Sequence, residues 1–166
     1  MCTVKALRKL CGSNYKVINF IQLALVSEIT EIPDPVTDTD TFRTIEDDIT
    51  MVATKTFKRI DFAKGSGKFI EVLKGTPDTT TSVETTIQGF YPEANAQASE
   101  AVNGMIGAEL IAIVHYSDGT RRLVGSLTNP VMTAKMDEDS SKGGYDIELK
   151  WEGDAKSPYY TGVIAS

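Results

Sequence analysis

Apolar and polar residues alternate along much of this chain, and a period of two predicts strands rather than helices. The longest apolar stretch, Ala108-Glu109-Leu110-Ile111-Ala112-Ile113-Val114-His115-Tyr116, runs into Ser117-Asp118-Gly119-Thr120. Asp-Gly supplies the positive φ angles of a tight hairpin turn, so Arg121 to Gly125 is expected to return alongside the stretch. After the break at Asn129-Pro130, Val131 to Met136 alternates again. The pattern predicts a meander over Ala108 to Met136 at the centre of an antiparallel sheet. Tyr145, Ile147, Leu149 and Trp151 alternate with Asp146, Glu148 and Lys150, which predicts a half-buried strand with Trp151 on its core face.

The remaining elements follow from the same reading. Tyr15 to Val26 is β-branched and aromatic and is expected as a strand continuing through Ile29 to Ile32, ended by Pro33-Asp34-Pro35. Thr54 to Phe62 and Lys68 to Leu73 are expected as a hairpin around Lys64-Gly65-Ser66-Gly67, with Ser82 to Phe90 as a further strand. Pro92 to Asn103, rich in alanine, predicts the one sizeable helix, with Gly104 placed as its left-handed cap. Asp137 to Gly144 reads as a solvated turn, and Pro158 to Ile164 as a tail that adds an edge strand or docks on a neighbour, Thr161 to Ile164 being the expected joining edge.

Composition sharpens this into a class. The 166 residues are expected to form a single domain, 1–166, with a flexible N-terminus over residues 1–14 and an extended loop or arm over residues 34–50. Thr37 to Asp48 has few apolar anchors, so the arm is expected to order against another chain. A net charge of −6 argues against a surface that grips nucleic-acid phosphates. Cys2 and Cys11 are too close together for a bridge to hold a domain and read as free thiols. Lys5, Arg8 and Lys9 occupy the place where a secretory signal needs apolar residues, and the run Val17 to Val26 is about half of the ~20 residues a bilayer span requires. No membrane role is expected.

Motifs that carry chemistry are weak. Gly65-Ser66-Gly67-Lys68 has the end of a phosphate-binding loop, but Phe69 follows the lysine and both flanks read as strands, so a plain turn is expected. Asp137, Asp139, Ser141 and Glu148 fall at the first, third, fifth and twelfth places of a calcium loop, but Lys142 stands where that loop needs glycine. His115 is the only histidine and lacks partners for a metal or nucleophile site, and no serine has a nucleophile-elbow context. The chain is therefore expected not to be an enzyme and to need no cofactor or metal.

Several phrases carry a resemblance. They are Cys11-Gly12 before the first strand, Lys55-Thr56-Phe57, Gly67-Lys68-Phe69-Ile70-Glu71, Arg122-Leu123-Val124-Gly125-Ser126-Leu127-Thr128-Asn129-Pro130, Gly144-Tyr145-Asp146-Ile147-Glu148-Leu149 and Lys156-Ser157-Pro158-Tyr159-Tyr160. In these phrases and in the order of elements the chain resembles bacteriophage tail tube proteins, particularly those of phages and prophages of Bacteroides-like hosts. The resemblance implies a mainly β fold, an antiparallel sandwich or barrel-like tube fold with one flanking helix, shared with the type VI secretion tube. It also implies a virion tail protein assembled in the bacterial cytoplasm. Hexameric rings would stack into a conduit through which DNA passes without specific binding, in contact with other tail proteins. A head-to-tail connector or tail terminator ring is one alternative, and a β-sandwich carbohydrate-binding module is another.

Overall fold

The computed structural model describes residues 16–36, 43–75 and 81–166. The expected flexible N-terminus, both cysteines and residues 37–42 of the expected arm lie outside the described residues. The protein is mainly β, with antiparallel sheets and one helix, and no sheet closes into a barrel. Its strands are β1 Ile18–Leu25, β2 Ile29–Glu31, β3 Thr44–Ile45, β4 Thr50–Met51, β5 Lys58–Asp61, β6 Lys68–Lys74, β7 Ser82–Tyr91, β8 Leu110–Tyr116, β9 Arg121–Val124, β10 Met132–Asp139, β11 Gly144–Gly153 and β12 Tyr159–Tyr160, with helix α1 at Ala96–Met105.

Six strands form one sheet in the order β3-β12-β9-β8-β1-β5, and four form a second in the order β10-β11-β7-β6. A two-stranded ribbon, β2-β4, makes a third piece. Strand β8 lies in the middle of the large sheet, and Leu110, Ala112 and Val114 face one core while Ile111 and Ile113 face another. The first core fills the space against β7, β11 and α1 through Ile87, Leu149, Ile147, Ala98 and Val102. The second, under the β2-β4 ribbon, gathers Ile29, Ile45, Ile49, Phe57 and Tyr160. A strand dry on both faces has no use for polar residues, which is why this stretch is a continuous apolar run.

Strand β1 solves a parity problem. Ile18 and Ile21 both enter the first core although they are three residues apart, and a bulge between Ile18 and Phe20 in the pairing with β8 restores the phase.

The Asp-Gly hairpin between β8 and β9 forms as its sequence requires. The rest of the expected meander does not. Val131 still exchanges backbone bonds with Leu110, but β10 then crosses to the small sheet and pairs with β11. The expected hairpin around Lys64 to Gly67 is likewise corrected, since β5 pairs with β1 and β6 with β7. The turn carries the chain from one sheet to the other, and Gly67 is needed there because a Cβ would run into the backbone oxygen of Ile18.

Three smaller corrections follow. Gly104 lies inside α1, which Asn95 caps by accepting a hydrogen bond from the Ala98 amide at 2.8 Å, and Gly107, φ 72°, takes the left-handed turn beyond the helix. Of the expected arm, residues 43–50 are woven into the fold, with Thr44 and Ile45 in β3 and Ile49 buried. The tail is no edge. β12 lies between β3 and β9, the Thr161 amide donates to Ile45 O, the Val163 amide to Asp48 Oδ1, and Ala165 O accepts from Phe57 N.

The two cores predict a sharp contrast. Ile113→Ala, at a site with no exposed surface, is expected to cost about 2–5 kcal/mol in urea unfolding, and Ile70→Ala, 42% exposed on β6, less than about 0.5 kcal/mol.

Candidate functional site

A free strand edge is a template for another strand, and soluble proteins blunt such edges with charge, shortness or cover. The large sheet follows this rule at both ends. Its β5 edge is only Lys58-Arg59-Ile60-Asp61, and its β3 edge is two residues long and already bridged to Val36. The small sheet follows it only at β10, which carries Lys135, Asp137, Glu138, Asp139 and a bulge after Thr133. Its edges β6 and β10 run for seven and eight residues, and β6 exposes Ile70 at 42%, Val72 at 48% and Leu73 at 69%. On β10, Met132 is 42% exposed, and it lies in the same cross-strand row as Ile70, through Lys150 and Thr86.

The outward face of the small sheet is charged and largely self-neutralised across its middle, with the apolar Ile70, Val72 and Met132 on the two edge strands at its margins. Lys74 pairs with Glu84, Lys150 with Glu148 at 3.6 Å, Lys135 with Asp137 at 3.6 Å, and Lys142 with both Asp139 and Asp146 at 3.3 Å. Such pairs are worth little to stability at an exposed surface, but they leave a polar wall without a strong field of either sign.

Between the sheets lies a buried polar joint that the sequence did not reveal. Glu71 of β6 points inward with its side chain 4% exposed and meets Arg122 of β9 at 2.9 Å. Its Oε1 also accepts from the Ser157 amide at 2.8 Å and from the Ser157 hydroxyl at 2.6 Å, while Thr85 donates to it at 3.3 Å. The Arg122 guanidinium lies 5.2 Å from the Phe69 ring and 4.8 Å from the Tyr159 ring. Burial pushes the nearby Tyr116 hydroxyl up to about 12, opposed by the charge of Arg122. The one sequence signal was an acidic residue at an inward position of an otherwise apolar strand.

The residues singled out from the sequence are not brought together. Gly65 to Lys68 form the crossing turn and the start of β6. Asp139 spends one oxygen on the Ser141 amide and hydroxyl and pairs with Lys142, so the acidic turn satisfies itself. Among the described residues no group of three or more histidine, cysteine or acidic side chains is placed to hold a metal. No helix among them is long and apolar enough to cross a membrane. Trp151, near the end of β11, packs against the first core on the expected face but is only half-buried, so the expected place inside the core is corrected in its degree of burial alone.

His115 stacks on Phe20 at 4.1 Å, and Arg59 lies over the other ring at 3.7 Å. Its buried Nε2 has no hydrogen-bond partner. Burial, then the charges of Arg121 and Arg59, lower its pKa to about 4.

Two predictions follow. Glu71→Ala is expected to cost about 3–5 kcal/mol because it strands Arg122 in the interior, whereas Glu71→Leu combined with Arg122→Met should come close to neutral in the same urea titration. For His115 the folded state disfavours the proton, so its contribution is present above pH 6.5 and is lost as pH falls toward 4. Stability of the native chain should therefore drop more steeply across that window than stability of His115→Phe, measured by thermal melts at fixed pH values.

No protein-family model, no curated protein and no solved structure matches this chain.

Proposed function

We propose that this protein is a structural subunit of a phage tail tube, and that it assembles by joining β6 of one copy to β10 of the next. The observation that carries the reading is the β6 edge, which exposes Ile70, Val72 and Leu73 and is uncovered among the described residues, in a molecule whose other sheet guards its own edges. Parity supports it. Successive strands of the small sheet are all antiparallel, so with four strands β6 and β10 run in opposite directions. Copies related by rotation about a ring axis can then add β6 to β10 and keep the ladder antiparallel all the way round. An odd number of strands would force a parallel seam.

Six copies, the number the family resemblance implies, would place about two dozen strands around the ring. At a strand spacing of ~4.8 Å the backbone would enclose a bore on the order of 30–40 Å, wide enough for a double helix to pass. The charged, mutually paired face of the small sheet would line it. A wall whose lysines are already paired with carboxylates releases few counterions to DNA and does not hold it.

The test is assembly of purified protein, followed by light scattering and negative-stain microscopy. Tubes are the expected result, a single closed ring would assign the protein to a connector or terminator, and monomers at all concentrations would overturn the reading. Ile70→Lys combined with Val72→Lys should leave the circular dichroism spectrum and melting point within a few degrees of native and abolish rings, since both side chains are exposed in the single subunit. Rings that survive the double substitution would remove β6 as the joining edge.

A further inference from the structure

We propose that the cleft beside Trp151 is a binding site for a neutral oligosaccharide, an inference that does not depend on the assembly reading. The cleft has a volume of about 570 Å3, within the ~300–1,000 Å3 range of small-ligand sites, and lies where the loops after β2, β9 and β11 converge. Trp151, the only tryptophan of the chain, forms part of its wall.

The indole is fixed rather than loose. Its Nε1 donates to Asn129 O at 2.9 Å, and Asn129 Nδ2 in turn donates to Glu152 O at 2.7 Å, so the loop after β9 clamps the ring to the end of β11. Gly153 is required beside it, because a Cβ there would strike the ring carbons. A rigid aromatic surface at the wall of a cleft of mixed polar and apolar lining suits the C–H face of a sugar, an apolar plane edged with hydroxyls.

The rest of the lining selects the ligand's chemistry. Asp34, Arg43 and Asp154 line the cleft, and among the described residues none of the three makes an ion pair. Unengaged carboxylates accept hydrogen bonds from hydroxyl pairs, and a guanidinium donates to ring and hydroxyl oxygens. With Glu152 also present, acidic groups outnumber Arg43 at the cleft, which disfavours phosphate, nucleotide or uronic-acid ligands by like-charge repulsion. A purely apolar ligand would leave these groups desolvated without partners. A neutral, polyhydroxylated ligand meets neither objection.

A single tryptophan makes the test direct. The full chain would be titrated with neutral oligosaccharides of glucan, mannan, xylan and galactan type, following tryptophan emission and, in parallel, heat release. A saturable change in emission for at least one of them is the expected result. Asp34→Asn and Asp154→Asn, exposed sites where the fold should persist, are each expected to weaken that binding about tenfold. No saturable change with any glycan overturns the proposal, as does binding that neither variant weakens. Emission that shifts on self-association but not on adding sugar would assign the cleft to a second copy of the chain and would equally overturn it.

Discussion

The dry burial of β8 on both faces is the constraint from which the layered arrangement follows. A central strand carrying Leu110, Ile111, Ala112, Ile113 and Val114, none more than 2% exposed, cannot be served by a two-layer sandwich, which leaves one sheet face wet. One face is covered by the small sheet and α1. The other needs its own cover, and the chain supplies it from three distant places: the β2-β4 ribbon, residues 43–49 and the C-terminal segment. Tyr160 ties these together, its hydroxyl donating to Val163 O at 2.8 Å and accepting from the Ile49 amide at 3.3 Å. Each buried isoleucine or leucine contributes ~1.5–3 kcal/mol of transfer free energy, enough to offset the entropy lost in ordering a residue of tail at about 1–2 kcal/mol.

The Glu71–Arg122 joint does a different job. Hydrophobic faces slide without much penalty, but a carboxylate taken out of water is tolerated only where its partners already stand. Arg122 from β9, Thr85 from β7 and both donors of Ser157 converge on Glu71, so the two sheets and the segment leading into β12 share one register. The joint sits on β6 one residue from the exposed Ile70 and Val72. The inward side of that strand is therefore locked while its outward edge stays open.

Much of this was legible in the residues, and the failures have one physical origin. The Asp-Gly turn at 118–119, the alternation from Tyr145 to Leu149 and the alanine-rich helix were each readable because local propensity and burial agree there. What could not be read was the partner of each strand. Thr54 to Phe62 and Lys68 to Leu73 are joined by a short glycine-rich turn, the usual sign of a hairpin, yet Ile60 and Phe62 are apolar on a face that serves the first core equally well from either sheet. Periodicity reports which face is buried, never which sheet buries it. The same ambiguity misplaced β10, whose preceding residue Val131 does pair with β8. Trp151 is on the inner face as the alternation requires and packs against the first core, but its indole reaches the sheet margin and stays half-exposed. The exposure of Ile70 and Val72 was hidden too, because Phe69 and Leu73 are apolar at the other parity and only Glu71 interrupts the run, so the strand reads simply as buried.

The exposed Ile70 and Val72 of β6, at an edge uncovered among the described residues, connect the fold to the proposed assembly. A heterologous contact repeated by rotation gives either a closed ring or an open filament, and the outcome depends on whether the subunit is wedge-shaped. Here the wedge is built in. The small sheet has four strands and one charged face that is uncovered among the described residues, while a six-stranded sheet, a second core and a two-stranded cover are stacked on its other side. In the proposed ring, copies joined edge to edge through the narrow layer would splay apart on the bulky side, and the small sheet would curve with its charged face concave. The right-handed twist of strands adds the tilt that a closed cylinder needs. In the proposed assembly, ring closure with a polar bore would then follow from the same layering that the burial of β8 imposes.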